Sequence, residues 1–558
     1  MKSFLAFVFL LSSCAWPVFA DEPGHHEELT QEQLGAIHFP VSCSPSAQKS
    51  FERGVALLHS FWYELAETTF EQIAREDPHC AMAHWGIAMS LWHQLWNRPD
   101  AETIKRGELE AKTADAFHPK SDRERDYIAA INAFYSGSET RKFESRANAY
   151  SKAMRKVYQR YPDDYEAAAF YALSLLACEP EHDPGEVNRK KAAAVLEKVL
   201  AVEPNHPGVL HYLIHTYDTE DLAQLALPAA RRYAQIAPAA PHALHMPSHI
   251  FARLGLWQDD INSNLASIAA SRKYAALGGE GHEFHAMDFL FYAYLQSGRE
   301  DDAHRLMEEV EAMPPMKDMY GMGYDPRISK LVVFEATYPL ELHHWQDAAE
   351  LTVVPGASPE DDSITHWARA IALAHLGKAN DARKEVVEIE GIHKRRSDEK
   401  KPKPVVEAIS QDQKEAEAWT EYAEGKQDRA VELLRSIGES GVFEASDQFP
   451  AREMAADMLL EMNHPDEALA EYEADLKANP NRFDSLYGAA QAAQRAGKSG
   501  KASGYYAQLV NNCDGSSSVR PELSEAKKWL ARKIKMSAQV NKFCSWGAAM
   551  QEPKQLAY

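Results

Sequence analysis

The chain has 558 residues, 45% of them hydrophobic and 26% charged, which is globular composition with enough apolar material for a large core. Its formal net charge of −23 gives it no general attraction for phosphates, and this excludes nucleic-acid binding as a default role. No apolar run after the N-terminus is long enough to cross a bilayer, so no transmembrane segment is expected.

The N-terminus, MKSFLAFVFLLSSCAWPVFADEP, places Lys2 before an apolar stretch, Phe4–Leu11, and a small-x-small site at Val18-Phe19-Ala20. That pattern is a secretory signal over 1–20, followed by an N-terminal extension over 21–47. The protein is therefore expected to be exported, periplasmic or secreted. A subordinate reading takes Leu11-Ser12-Ser13-Cys14 as a lipobox, which would leave a lipid anchor on Cys14. Export implies an oxidising compartment for the five remaining cysteines. Cys43–Cys80 and Cys513–Cys544 are plausible bridges, and Cys178, inside an apolar run, reads as a buried free thiol.

From residue 48 onward apolar residues recur at helical spacing and strand-like alternation is scarce. Trp62, Trp85, Trp92 and Trp96 make an aromatic N-terminal region that reads as core or groove lining, with His84 and His93 at its border. A period then emerges. Asn463 and Gly497, Ala468 and Ala502, Tyr472 and Tyr506, and Pro204 and Pro238 are each separated by 34. Ala66, Phe70 and Pro78 repeat the same order of small residue, aromatic and proline; Pro162, Gly377 and Gly425 fall at further turns. This pattern resembles the tetratricopeptide repeat superfamily over most of residues 48–512, as in an exported bacterial protein of that kind. The resemblance implies an all-α, right-handed α-solenoid of stacked helix-turn-helix repeats. Irregular insertions are expected near 100–145, 271–284 and 311–328. Neighbouring hairpins bury each other's apolar faces and curve around a concave side, which the first helix of each hairpin lines.

Within the main superhelix, 48–390, the histidines acquire addresses. His211 and His215 sit four apart, and the same pair returns 34 residues on as His245 and His249. The resemblance puts these positions, and His242, on the groove. Aligning Gly255 with Gly298 brings His285 under His242 and Asp288 under His245. Residues four apart on a helix have Cβ atoms about 5–6 Å apart, and packed helices lie about 8–10 Å axis to axis. Imidazoles on adjacent inner helices can therefore meet at one ion. The candidate ligands are His211, His215, His242, His245, His249, His285 and Asp288, for a transition metal such as Zn, Cu, Ni or Fe. His93, His182 and His393 read as ordinary surface or core histidines. Pro247 lies between His245 and His249, so the helix there is expected to start near Met246, with His242 and His245 on an irregular turn. Three roles follow for the groove: a metal site, or a small-ligand site acting through a metal; a surface for a protein or peptide partner, lined by the histidines; or a metal-dependent enzyme, hydrolytic or oxidative, with Asp288 or Glu283 as ligand or base.

The Met-, Gly- and Pro-rich stretch 313–326 reads as a flexible cover for the groove, its thioethers being conceivable Cu(I) ligands, and 391–405 as a charged loop or linker. Repeats resume over 406–512. Residues 513–558 form a capping helix, centred on 521–539, and a tail.

Overall fold

The computed structural model describes residues 29–95, 98–180, 186–277, 281–316, 325–438, 449–533 and 535, and every regular element among them is a helix. The helices pair into hairpins in chain order. Pro45–His59 pairs with Tyr63–Glu76, Tyr165–Leu176 with Val187–Leu200, Pro207–Tyr217 with Ala223–Ile236, and so on to Phe483–Arg495 with Ser499–Asn512. A last helix over 521–533 caps the stack. The fold is an α-solenoid of tetratricopeptide-like hairpins.

The period has a steric origin. Ala66, Ala468 and Ala502 are fully buried where helices cross. Phe70 fills the space left by two glycines: a Cβ on Gly54 would stand 2.7 Å, and one on Gly86 2.4 Å, from its ring. Turns between paired helices need a left-handed residue, supplied for example by Gly255 (φ 62°) and Gly298 (φ 67°), the two positions aligned from sequence. Trp62, Trp85 and Trp92 are buried in the core, as expected. Trp96 lies outside the described residues.

Several expectations are corrected. The stretch 391–405 is mostly helix, because Ala379–Asp398 runs through its Lys, Arg and Glu residues, and the next helix, Lys403–Ala423, starts at once. The segment 100–145 is not an irregular insertion; it forms the helices Ala101–Ala116 and Asp122–Tyr135 and the start of Phe143–Arg160. Cys43–Cys80 is a disulfide, while Cys178 is a free thiol that is half-buried rather than buried. Cys513 is buried and carries a free thiol, which burial pushes up to about 12. Cys544, the leader with Cys14, His182, most of 313–326 and the end of the capping helix lie outside the described residues.

The solenoid also touches itself between hairpins that are not neighbours in the stack. The first hairpin and the short helix before it, Gln31–Leu34, meet the chain around the sixth hairpin: the Trp62 indole Nε1 donates to the Leu277 carbonyl at 3.0 Å, and the Ala239 amide donates to the Gln33 carbonyl at 3.0 Å. The C-terminal hairpins meet the middle ones in the same way. Trp257 Nε1 donates to the Asn481 carbonyl at 3.0 Å, and Asn512 Nδ2 to the Gln296 carbonyl at 2.8 Å. At the second contact lies Arg482, fully buried, whose guanidinium donates to Glu453 at 2.8 and 2.7 Å, Glu341 at 2.7 Å and Tyr292 Oη at 3.2 Å.

Candidate metal centre

The helix Pro207–Tyr217 opens on Pro207, whose missing N–H costs nothing at that position, and its cap is His206, whose Nδ1 accepts from the Val209 amide at 3.3 Å. His211 and His215 follow on one face. The next inner helix comes in two pieces, Pro241–His245 and Pro247–Arg253. The break at Pro247 is milder than expected. Met246 keeps helical angles and its amide donates to the His242 carbonyl at 2.9 Å, so His242 and His245 sit on a helical turn and not an irregular one. His285 comes from the third helix, Gly281–Gln296.

These six histidines converge in two sets. One ligand atom each from His211, His215 and His242 lies within 4.8 Å of the others, and the same holds for His245, His249 and His285. His211 Nε2 and His242 Nε2 are 3.1 Å apart, and His245 Nε2 and His249 Nε2 are 3.0 Å apart. Two nitrogens bound to one ion at about 2.0–2.1 Å, across about 90–110°, stand about 2.9–3.4 Å apart. The observed spacings fall in that window.

The Nδ1 partners fix the tautomers. His211 Nδ1 lies 2.5 Å from the His59 carbonyl, which only accepts, so Nδ1 carries the proton and Nε2 the lone pair. His249 Nδ1 lies 2.9 Å from Asp218 Oδ2, with the same result. His245 Nδ1 lies 2.7 Å from Asn264 Oδ1, and the Asn264 amide is oriented by its Nδ2, which donates to Asp260 Oδ1 at 2.8 Å. His245 Nε2 and His249 Nε2 thus face each other at a spacing that one cation could bridge. Nδ1 hydrogen bonds to a carboxylate or a carbonyl are also what holds metal-binding imidazoles in orientation.

The surroundings disfavour charge on the His211 and His215 rings. His211, His242, His245 and His249 are buried. Burial pushes His211 down to about 3, and burial together with His211 and His249 holds His215 well below its usual value. Burial alone would raise the Asp218 carboxyl, but His249 and Arg253 beside it hold it far below the usual carboxylate range. Aromatic rings close the walls. Phe61 lies 4.4 Å from His211 and 5.5 Å from His242 between ring centroids, and Phe289 lies 4.5 Å from His249. A cavity of about 340 Å³ opens onto the histidines, lined by His215, His242, His249, His285, Asp218 and Arg189.

Asp288 is the expected ligand that does not converge. Its carboxylate pairs with Lys330 and stands 4.0 Å from His285 Nδ1. Glu283 likewise pairs with Arg272. Sequence reasoning missed Asp218, Asn264, His59 and Phe61. Asp218 follows His215 by three and was within reach of inspection; the others arrive from a paired helix or from the first hairpin. It also missed the network beneath the site. Glu166 accepts from His59 Nε2 at 2.5 Å and His206 Nε2 at 3.1 Å, and Tyr212 Oη meets His59 Nδ1 at 2.9 Å. Burial would raise Glu166, yet the two imidazoles hold it well below its usual value. This group reads as structural: it fixes His59, whose carbonyl orients His211.

The chain is thus a tetratricopeptide-like solenoid with a cluster of imidazoles beside a cavity of about 340 Å³. No family model matches it, and no curated protein does. Solved structures similar to it include the human IFIT1 dimer with m7Gppp-AAAA, at 14% identity and TM-score 0.34, covering 82% of this chain and 95% of that one. Naa15/Naa10 bound to HypK-THB matches at 12% identity and TM-score 0.22, over 88% of this chain and 92% of that one. The P58(IPK) TPR domain matches at 13% and 0.19, over 81% and 99%. Likenesses at this level carry no inference about function.

Proposed function

We propose that this chain is an exported helical-repeat protein whose inner groove binds a divalent transition metal, Zn, Cu, Ni or Fe, through its histidines, and a small ligand through the metal. The observation that carries this reading is the convergence of six imidazoles, with one ligand nitrogen each from His211, His215 and His242, and from His245, His249 and His285, within 4.8 Å of one another in each set. An all-imidazole donor set suits the later first-row metals. Export draws support from the Cys43–Cys80 disulfide, which belongs in an oxidising compartment. The test is elemental analysis of purified protein with thermal melting before and after chelation. A metal present at a hundred times its dissociation constant stabilises the native state by about 2.7 kcal/mol, so chelation lowers the melting temperature, and His249→Ala removes that difference. No bound metal and an unchanged melting temperature would return the groove to a surface for a protein or peptide partner.

A further inference from the structure

The two sets of histidines are one arrangement made twice. In the first, His211 and His215 come from one inner helix and His242 from the next; in the second, His245 and His249 come from that next helix and His285 from the one after. Advancing by one hairpin reproduces the two pairs with a shift of 34 residues. The sets are also adjacent. Ring centroids of His242 and His245 are 6.0 Å apart and those of His215 and His249 6.4 Å, close to the 6.1 Å between His215 and His242 within one set. Both sets present rings to the same cavity of about 340 Å³.

Resting on the metal reading above, we propose that each set holds one ion, making a dinuclear centre whose open positions face the shared cavity and take a small bridging anion. Three imidazoles leave a transition metal short of a full coordination shell, the pattern of sites that keep a position for an exogenous ligand. Six neutral imidazoles do nothing to balance the charge of two divalent ions. Asp218 and Glu179 at the cavity wall offset part of it, and Arg253 and Arg189 pair with those carboxylates at 3.0 and 2.7 Å. The remaining positive charge favours a small anionic ligand placed between the ions, where it reaches both. Two ions held side by side in this way are suited to clamping one oxygen-donor ligand from both ends.

The test loads the full-length chain with Cu²⁺, removes excess metal by gel filtration, and counts copper per chain. Two ions per chain are expected, falling to one in His215→Gln and to one in His249→Gln. One ion in the unaltered chain, lost in either variant, overturns the dinuclear centre while leaving the metal reading intact. No bound ion removes both. Where a variant loses its helical circular dichroism, the count in the unaltered chain decides. The bridge is read separately, by electron paramagnetic resonance with azide as the probe. Coupled ions give a signal well below two spins per chain and an azide-dependent absorption band; two full, independent spins unmoved by azide overturn the bridge.

Discussion

Phe61 has a left-handed backbone, φ 52°, at the turn position that Gly255 and Gly298 occupy in later hairpins. A side chain there costs about 1–2 kcal/mol, and what offsets it is a ring buried among His211, His215 and His242. Asp218 acts through another residue: it holds the Nδ1 proton of His249 at 2.9 Å and is itself held by Arg253 at 3.0 Å. Asp218→Asn keeps the shape but removes the charge, and partners of this kind are worth about 10–100-fold in metal affinity. A competition titration with a chromophoric chelator should show a loss in that range with helicity unchanged. At this scale the sequence was partly legible. The histidines announced themselves because a repeat translates like onto like. Asp288 was misread because alignment gives a register but not a neighbour, and the neighbour, Lys330, comes from a helix 42 residues away. His59 and Phe61 were invisible because they reach the site from some 150 residues upstream.

Among the elements, the inner helix Pro207–Tyr217 is pressed against the first hairpin so closely that a Cβ on Gly208 would stand 2.4 Å from His59 Nδ1. Gly208→Ala must displace the ring that Glu166 and Tyr212 hold, and with it the carbonyl that orients His211. It should lower both the melting temperature and metal affinity. Gly504→Ala, in a helix where nothing lies within 4 Å, is the control and should stabilise by up to about 1 kcal/mol. The helix Pro359–His375 ends on a ring stacked on Trp345, at 3.8 Å, with Trp419 tilted against it at 4.0 Å. Burial, with His343 nearby, pushes His375 down to about 3. The unfolded chain, in which this ring titrates near about 6.5, then takes up a proton that the folded chain refuses. This contribution is whole above that pH and is lost as pH falls from there towards 3. His375→Phe keeps the stacking and should flatten the fall in melting temperature between pH 7 and pH 4. Helix existence was legible throughout from periodicity and turn residues. The charged run at 391–405 was misread because its Lys, Arg and Glu are good helix formers as well as good loop residues, and only Lys400, at φ 54°, marks the true turn.

Among the described residues, the unexpected feature at the scale of the molecule is the pair of contacts between hairpins that are not neighbours in the stack. A simple solenoid is stabilised by nearest neighbours alone, and the sequence carries no periodic signal for anything longer. Arg482 shows what such a contact involves: a fully buried cation between Glu341 and Glu453. Arg482→Met leaves two buried carboxylates unpaired and should cost about 3–5 kcal/mol in urea unfolding, far more than a substitution on an outer helix. Burial outweighs the guanidinium and holds the Glu341 carboxyl above its usual range. Reducing Cys43–Cys80, which spans 37 residues, should remove about 3–4 kcal/mol from the N-terminal partner of the other contact.

The wedge of Phe61 between His211 and His242 also restricts how this chain can diversify. Repeat arrays commonly grow or shrink by duplicating a unit, since each unit needs only the one beside it. Here one more hairpin inserted between residues 63 and 207 would carry the imidazoles a step around the spiral and leave the phenylalanine facing a different neighbour. The number of units in that stretch is therefore held constant by the pocket, much as a ring size is held by its closing bond.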